Sequence, residues 1–194
     1  MLFTARRRFS TALDAWLAQP KSLALALADT LTPRHLADLY ITLPTRDGSC
    51  ARPFQPPALG TPLGYGHHLA FFHPRHPESA LRPDGTDADF CPPEPFTRRM
   101  WASGTMRWNT KPGGALRVGD NAHAVSTIAS VEKKGFDAES TRPMLFVKQR
   151  IEITAQGREE PSVVEERSHV YLASGGNRRD ARQGVVTVRD GRWN

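Results

Sequence analysis

The sequence predicts an α+β chain built on an antiparallel sheet. Two observations carry that prediction. Three long strand candidates follow one another: Ala124–Lys134, rich in Val, Ile, Ser and Thr; Met144–Ala155, with apolar residues gathered on one face; and Val163–Leu172, which alternates less cleanly. Polar connections of hairpin length, Gly135–Pro143 and Gln156–Pro161, join them. Helical signals are confined to short segments earlier in the chain, the order expected of an α+β domain.

Each element has its own local reason. Ser22–Asp29 (SLALALAD) is composed of helix-favouring residues. A second helix runs through Pro33–Tyr40, with Thr32 as N-cap and Pro33 at the first helical position. Leu36, Leu39 and Tyr40 share one face of it. Leu43–Tyr65 is rich in Pro and Gly and reads as irregular chain. His67–Phe72 (HHLAFF) is a short apolar strand candidate, and His73–Phe90 is a loop. Thr97–Ser103 reads as a short amphipathic helix that Gly104 lets the chain leave closely packed. From Gly104 to Asn109, Thr105, Arg107 and Asn109 alternate against Met106 and Trp108, as in a strand. Leu116–Asp120 is a turn. In Met144–Ala155, Leu145, Val147, Ile151 and Ile153 share a face opposite Lys148, Arg150 and Glu152. In Val163–Leu172 the apolar face is read as Val164, Val170 and Leu172. The segment after Leu172 is expected to be a disordered tail or the product of a truncated reading frame, with Val185, Val186 and Val188 as a possible edge strand.

Composition narrows the function classes. A chain of 194 residues fits one domain with a small appendage. No run approaches the roughly 20 apolar residues of a membrane-crossing helix. The formal charge is +6, but Arg6, Arg7 and Arg8 and the Arg-rich tail 178–194 account for it. The near-neutral body between them argues against a nucleic-acid face. Cys50 and Cys91 are far apart and have no CxxC partner, so neither a disulfide framework nor structural zinc is implied. Residues 1–18 combine three Arg, several hydroxyls, no acid before Asp14 and apolar residues at helical spacing. That is the pattern of a mitochondrial transit segment, with an ordinary basic helix as the alternative. The organisation is then a transit-like segment 1–18, a helical and irregular extension 19–66, a domain 67–173 and a tail 174–194.

The run Pro92-Pro93-Glu94-Pro95-Phe96-Thr97-Arg98-Arg99-Met100-Trp101-Ala102-Ser103-Gly104 is the most specific motif. It resembles the N-terminal half of the MaoC-like double-hotdog hydratases, which include fungal mitochondrial 3-hydroxyacyl-thioester dehydratases and mesaconyl-CoA hydratases. The resemblance implies a single hotdog, an antiparallel sheet wrapped around a central helix at Thr97–Ser103, with further helices N-terminal to it. It implies reversible dehydration of an (R)-3-hydroxyacyl thioester, carried by acyl carrier protein or CoA, in mitochondrial type II fatty acid synthesis. That reaction needs a base, an acid and donors for the enolate-like oxygen. The family supplies base and acid from a stretch like Asp-x-Asn-Pro-x-His in its second repeat, and this sequence contains none. No catalytic residue, metal or cofactor is therefore assigned. The first repeat shapes the acyl and pantetheine channel, which makes Arg98, Arg99, Met100, Trp101 and Gly104 the substrate-binding candidates. Arg98 and Arg99 suit phosphate or, alternatively, the flank of the helix and a carboxylate. The resemblance also implies a homo- or heterodimer through sheet edges, no nucleic acid or membrane partner, and residence in the mitochondrial matrix. The alternative is a silent hotdog that binds acyl thioesters or pairs with a complete subunit.

The histidines offer a relocated site. His67, His68, His73 and His76 cluster near Glu78, Asp84, Asp87 and Asp89, and one of them with Asp87 or Asp89 would make a base and its orienter. The competing reading is that they finish a loop and a strand end. Their spacing lacks the pattern of a zinc site. His169, beside Arg167 and Glu165, reads as a surface or interface residue, and His123 as solvated.

Overall fold

The computed structural model describes residues 12–19, 24–43, 55–136 and 143–174. Residues 12–17 form a short helix, α1. Strand β1 (Leu25–Thr30) and helix α2 (Pro33–Thr42) follow, then single 3-10 turns at His67–Ala70 and Glu78–Ala80. Four long strands complete the chain: β2 (Arg98–Trp108), β3 (Asn121–Lys134), β4 (Met144–Ala155) and β5 (Val163–Leu172). They make one sheet in the order β1-β3-β4-β5-β2, antiparallel at every pairing. The arrangement is the single hotdog that the resemblance implied.

The helix gripped by the sheet is α2. Its start follows the sequence: the Thr32 hydroxyl accepts from the His35 amide at 3.3 Å, and Pro33 occupies the first turn. Leu36 and Ala37 are buried, and Leu39 and Tyr40 pack beside them against Ala122, Ala124, Ile153 and Val163. Ten residues of helix span about 15 Å, whereas a 12-residue strand spans about 40 Å. One helix therefore covers only part of the concave face. The rest is covered by Phe96 and by α1, whose Leu13 is buried against Leu145, Val147 and Tyr171.

Four local expectations are corrected. Thr97–Ser103 is not a helix. The chain turns at Pro95, where the Thr97 amide donates to the Pro95 carbonyl at 2.8 Å, and then enters β2. Pairing with β5, Trp101 opposite His169, satisfies backbone groups that so short a helix would leave open at both ends. Ser22–Asp29 does not yield a helix over its described part either. Leu25–Thr30 pairs with β3, half-buried and exposed residues alternating, so sheet pairing overrides the helical propensity of Leu and Ala. His67–Phe72 is not a strand but a 3-10 turn after Gly66, which takes the left-handed conformation (φ 82°). The apolar face of β5 is the opposite of the one read from sequence: Val163, Glu165 and Tyr171 are the buried residues.

The sheet also reaches back past residue 67. The proposed extension 19–66 contains β1 and α2, which belong to the same body as β2–β5. Of the transit-like segment only 12–18 is described, and its helix is docked on the sheet. Of the tail, Ser174 is described and its amide donates to the Pro95 carbonyl at 2.7 Å; Val185, Val186 and Val188 lie outside the described residues, as does Cys50.

Candidate functional site

The sequence-predicted binding residues all lie on β2, which pairs on one side with β5 and is the last strand of the sheet. Met100 and Trp101 are 54% and 58% exposed, and Arg98 and Gly104 are exposed as well. Arg99 is half-buried. A bulge between Trp101 and Ser103 changes which residues face inward along the strand. The Trp101 ring stands edge-on to His169 at 5.5 Å. It also lies so close over Gly104 that a Cβ there would meet its Cζ2 at 2.6 Å. Glycine at 104 is thus the seat of the indole rather than a helix exit.

Beneath this edge sits a row of titratable groups. Burial lowers the His169 pKa, helped by the charges of Arg99 and Arg167. Burial raises the Tyr171 phenol well above its ordinary value, helped by Cys91, whose Sγ lies 3.5 Å from the phenol oxygen. Arg99 thus faces imidazole and phenol.

The histidine cluster separates into two sites. His76 reaches Asp89 (Nε2 to Oδ2, 2.9 Å), and Asp87 brings a ligand atom within 4.8 Å of both. These three side chains could offer ligands to a divalent cation. His68 turns the other way, into the body, where its Nε2 is 3.6 Å from Oε2 of Glu165. Both side chains are only 2% exposed. Arg167 clamps the same carboxylate, Nε to Oε1 at 2.5 Å and Nη2 to Oε2 at 2.9 Å. Burial pushes the Glu165 carboxyl up, but the His68 ring beside it and the hydrogen bonds and charge of Arg167 outweigh burial and hold the pKa at about 2. Burial also lowers His67, beside the His68 ring.

This buried imidazole–carboxylate–guanidinium group was missed in the sequence. Its signal is the alternation Val163, Glu165, Arg167, His169, Tyr171, which keeps an apolar residue at each end of a polar inner row. Above it is a cavity of about 330 Å³, lined among others by Tyr65, His68, Trp108, Asn109, Leu116 and Ser162. A carboxyl so far below the ordinary range is a weak base, and the guanidinium holds its oxygens in place. Held in this way, the carboxylate is poorly suited to abstract a carbon-bound proton.

The family model for hydroxyacyl-thioester dehydratase type 2 matches residues 66–191, well over half of the chain. The chain belongs to that family. It is 32% identical over 93 residues to the mesaconyl-C(4)-CoA hydratase of Chloroflexus aurantiacus, a match covering 47% of this chain and 31% of the relative. The chain thus spans about a third of that relative's length. Among solved structures it is similar to the ChsH1–ChsH2 complex of Mycobacterium tuberculosis, with a TM-score of 0.52, 10% identity and coverage of 89% of this chain and 95% of that one. The R-hydratase PhaJ1 of Pseudomonas aeruginosa gives a TM-score of 0.44 at 11% identity, covering 84% and 91%. At 10% identity the likeness to the ChsH1–ChsH2 complex speaks to the fold alone.

Proposed function

We propose that this dehydratase-family chain is the substrate-shaping hotdog of a mitochondrial (R)-3-hydroxyacyl-thioester dehydratase of type II fatty acid synthesis, whose acid and base come from a second hotdog. The observation that carries this reading is Glu165. Among the described residues it is the carboxylate buried in the core, and Arg167 and His68 hold it ionised and engaged. The open edge of β2 supports the second half of the proposal. Among the described residues no strand lies on the outer edge of β2, and exposed Met100 and Trp101 there invite another sheet. Arg98 and Arg99 near that edge suit the phosphates of CoA or of a carrier protein's pantetheine arm.

The test is complementation. The chain is joined by its C-terminal end to the second hotdog repeat of a longer family member, and hydration of crotonyl-CoA is followed. The fusion is expected to exceed the isolated second repeat in kcat/KM by at least about tenfold, the gain given by a formed acyl channel. A fusion no better than the isolated repeat refutes the division of labour.

A second reading rests on the same buried pair. His68, oriented by Glu165, is a general acid–base in its own right if the isolated chain turns over substrate and His68→Gln abolishes it.

A further inference from the structure

We infer that helix α1 stays in the working protein, so that proteolytic processing of the N-terminal segment ends ahead of Ala12, at the Phe9–Ser10 bond. The inference rests on the mitochondrial part of the reading above and adds to it where the address ends and the fold begins.

The transit-like pattern runs through residues 1–18, but a transit segment is discarded after use. A discarded segment has no place in a core, and α1 has one. Leu13, Trp16 and Leu17 stand at i, i+3 and i+4 and so share one face of the helix. Leu13 is 3% exposed. It packs with Phe96, Leu145, Val147 and Tyr171, and Trp16 and Leu17 lie half-buried against the same cluster. At the rim, Nζ of Lys133 is 3.5 Å from Oδ1 of Asp14. Six helical residues are too few to persist alone in water, so α1 exists because the sheet receives it. The dependence is mutual. Phe96 and Tyr171 are each 1% exposed, and losing α1 would strip part of their cover. Helix α2 packs in a separate cluster and does not replace it.

The sequence just ahead of α1 supplies the cut. Arg7-Arg8-Phe9-Ser10 sets a guanidinium two residues before an aromatic ring. That pair suits a peptidase with one carboxylate-lined pocket and one apolar pocket, and small Ser10 leaves room on the far side of the bond. Hydrolysis adds water across the Phe9–Ser10 peptide bond, leaving a carboxylate on Phe9 and a free amine on Ser10. It removes Arg6, Arg7 and Arg8 together and leaves Ser10 and Thr11 as a short lead into α1. Motif and fold thus place the boundary within two residues of each other, from unrelated observations.

Import of the full chain, tagged at its C-terminal end, into isolated respiring mitochondria tests this, with the N-terminus of the imported protein read by sequencing. Ser10 is the expected first residue, and Arg7→Gln should abolish or move the cut. An imported protein that begins beyond Ala12 overturns the inference while leaving the mitochondrial reading in place. Import without cleavage, or a cut unmoved by Arg7→Gln, also overturns it. Failure to import overturns both, and the complementation assay still decides the dehydratase reading separately. Urea unfolding gives a second readout that needs no mitochondria. A chain of residues 10–194 should match the full chain within about twofold in unfolding equilibrium constant, because α1 is intact. A chain of residues 19–194 should lose at least about thirtyfold, the loss of one buried leucine near its lower limit. Equal stability of the full chain and 19–194, or a thirtyfold loss already in 10–194, overturns the inference.

Discussion

Replacing Glu165 by Gln tests the reasoning about the buried cluster most sharply. The folded protein holds this carboxyl at about 2, against an ordinary 4.5. The folded value is the lower one, so the carboxylate stabilises the fold above pH 4.5, and that stability is lost as pH falls from 4.5 towards 2. At 1.36 kcal/mol for each tenfold in proton affinity, the full contribution is roughly 3 kcal/mol, of which about 2 kcal/mol is gone by pH 3. Urea unfolding measured at pH 7, 5, 4 and 3 reads it directly. The unaltered chain should lose about 2 kcal/mol more than Glu165→Gln between pH 7 and pH 3. His67 and His169, also lowered, destabilise the fold as pH falls below 6.5, but they are common to both proteins and cancel in the difference. Parallel profiles for the two proteins would refute the claim that Arg167 and His68 engage an ionised Glu165.

Other outcomes follow from individual contacts. Phe96→Ala should cost about 3–5 kcal/mol in urea unfolding, because Phe96 is 1% exposed in the cluster with Leu145, Val147 and Tyr171. Leu13→Ala should cost about 2 kcal/mol, near the lower limit for a buried leucine, since a short helix can lift away from the sheet; no change in stability would show that α1 does not belong to the core. Gly104→Ala should displace the Trp101 indole, with a red shift in tryptophan emission and a cost of about 1 kcal/mol or less, because the clashing atom is the far end of an exposed side chain. Trp101→Glu places a charge on the free edge and should lower any self-association seen by sedimentation, leaving the unfolding midpoint nearly unchanged.

The sheet was legible where strands are half-buried and alternate. In β4, Leu145, Val147 and Ile153 point inward as their spacing demands. Helix α2 was legible because its cap is chemical: Thr32 and Pro33 mark its start whatever surrounds it. What local pattern could not give was pairing. Arg98–Ser103 and Leu25–Thr30 carry helix-compatible residues, and only β5 and β3 beside them make strands of them. The buried cluster was hidden for a related reason. Glu165, Arg167 and His169 look like a solvated face, and the partner that brings Glu165 inside, His68, is almost a hundred residues away on a turn. The resemblance carried by Pro92–Gly104 gave the correct fold while its helix was misplaced, because the motif marks entry into the edge strand and α2 supplies the helix that the sheet grips.

The division of labour between two hotdogs is tested most directly by assaying the purified chain alone for hydration of crotonyl-CoA. The account predicts no rate above the buffer reaction, since Glu165 is held by Arg167. Sustained turnover that disappears in Glu165→Gln or His68→Gln would contradict it and make the buried pair the working centre.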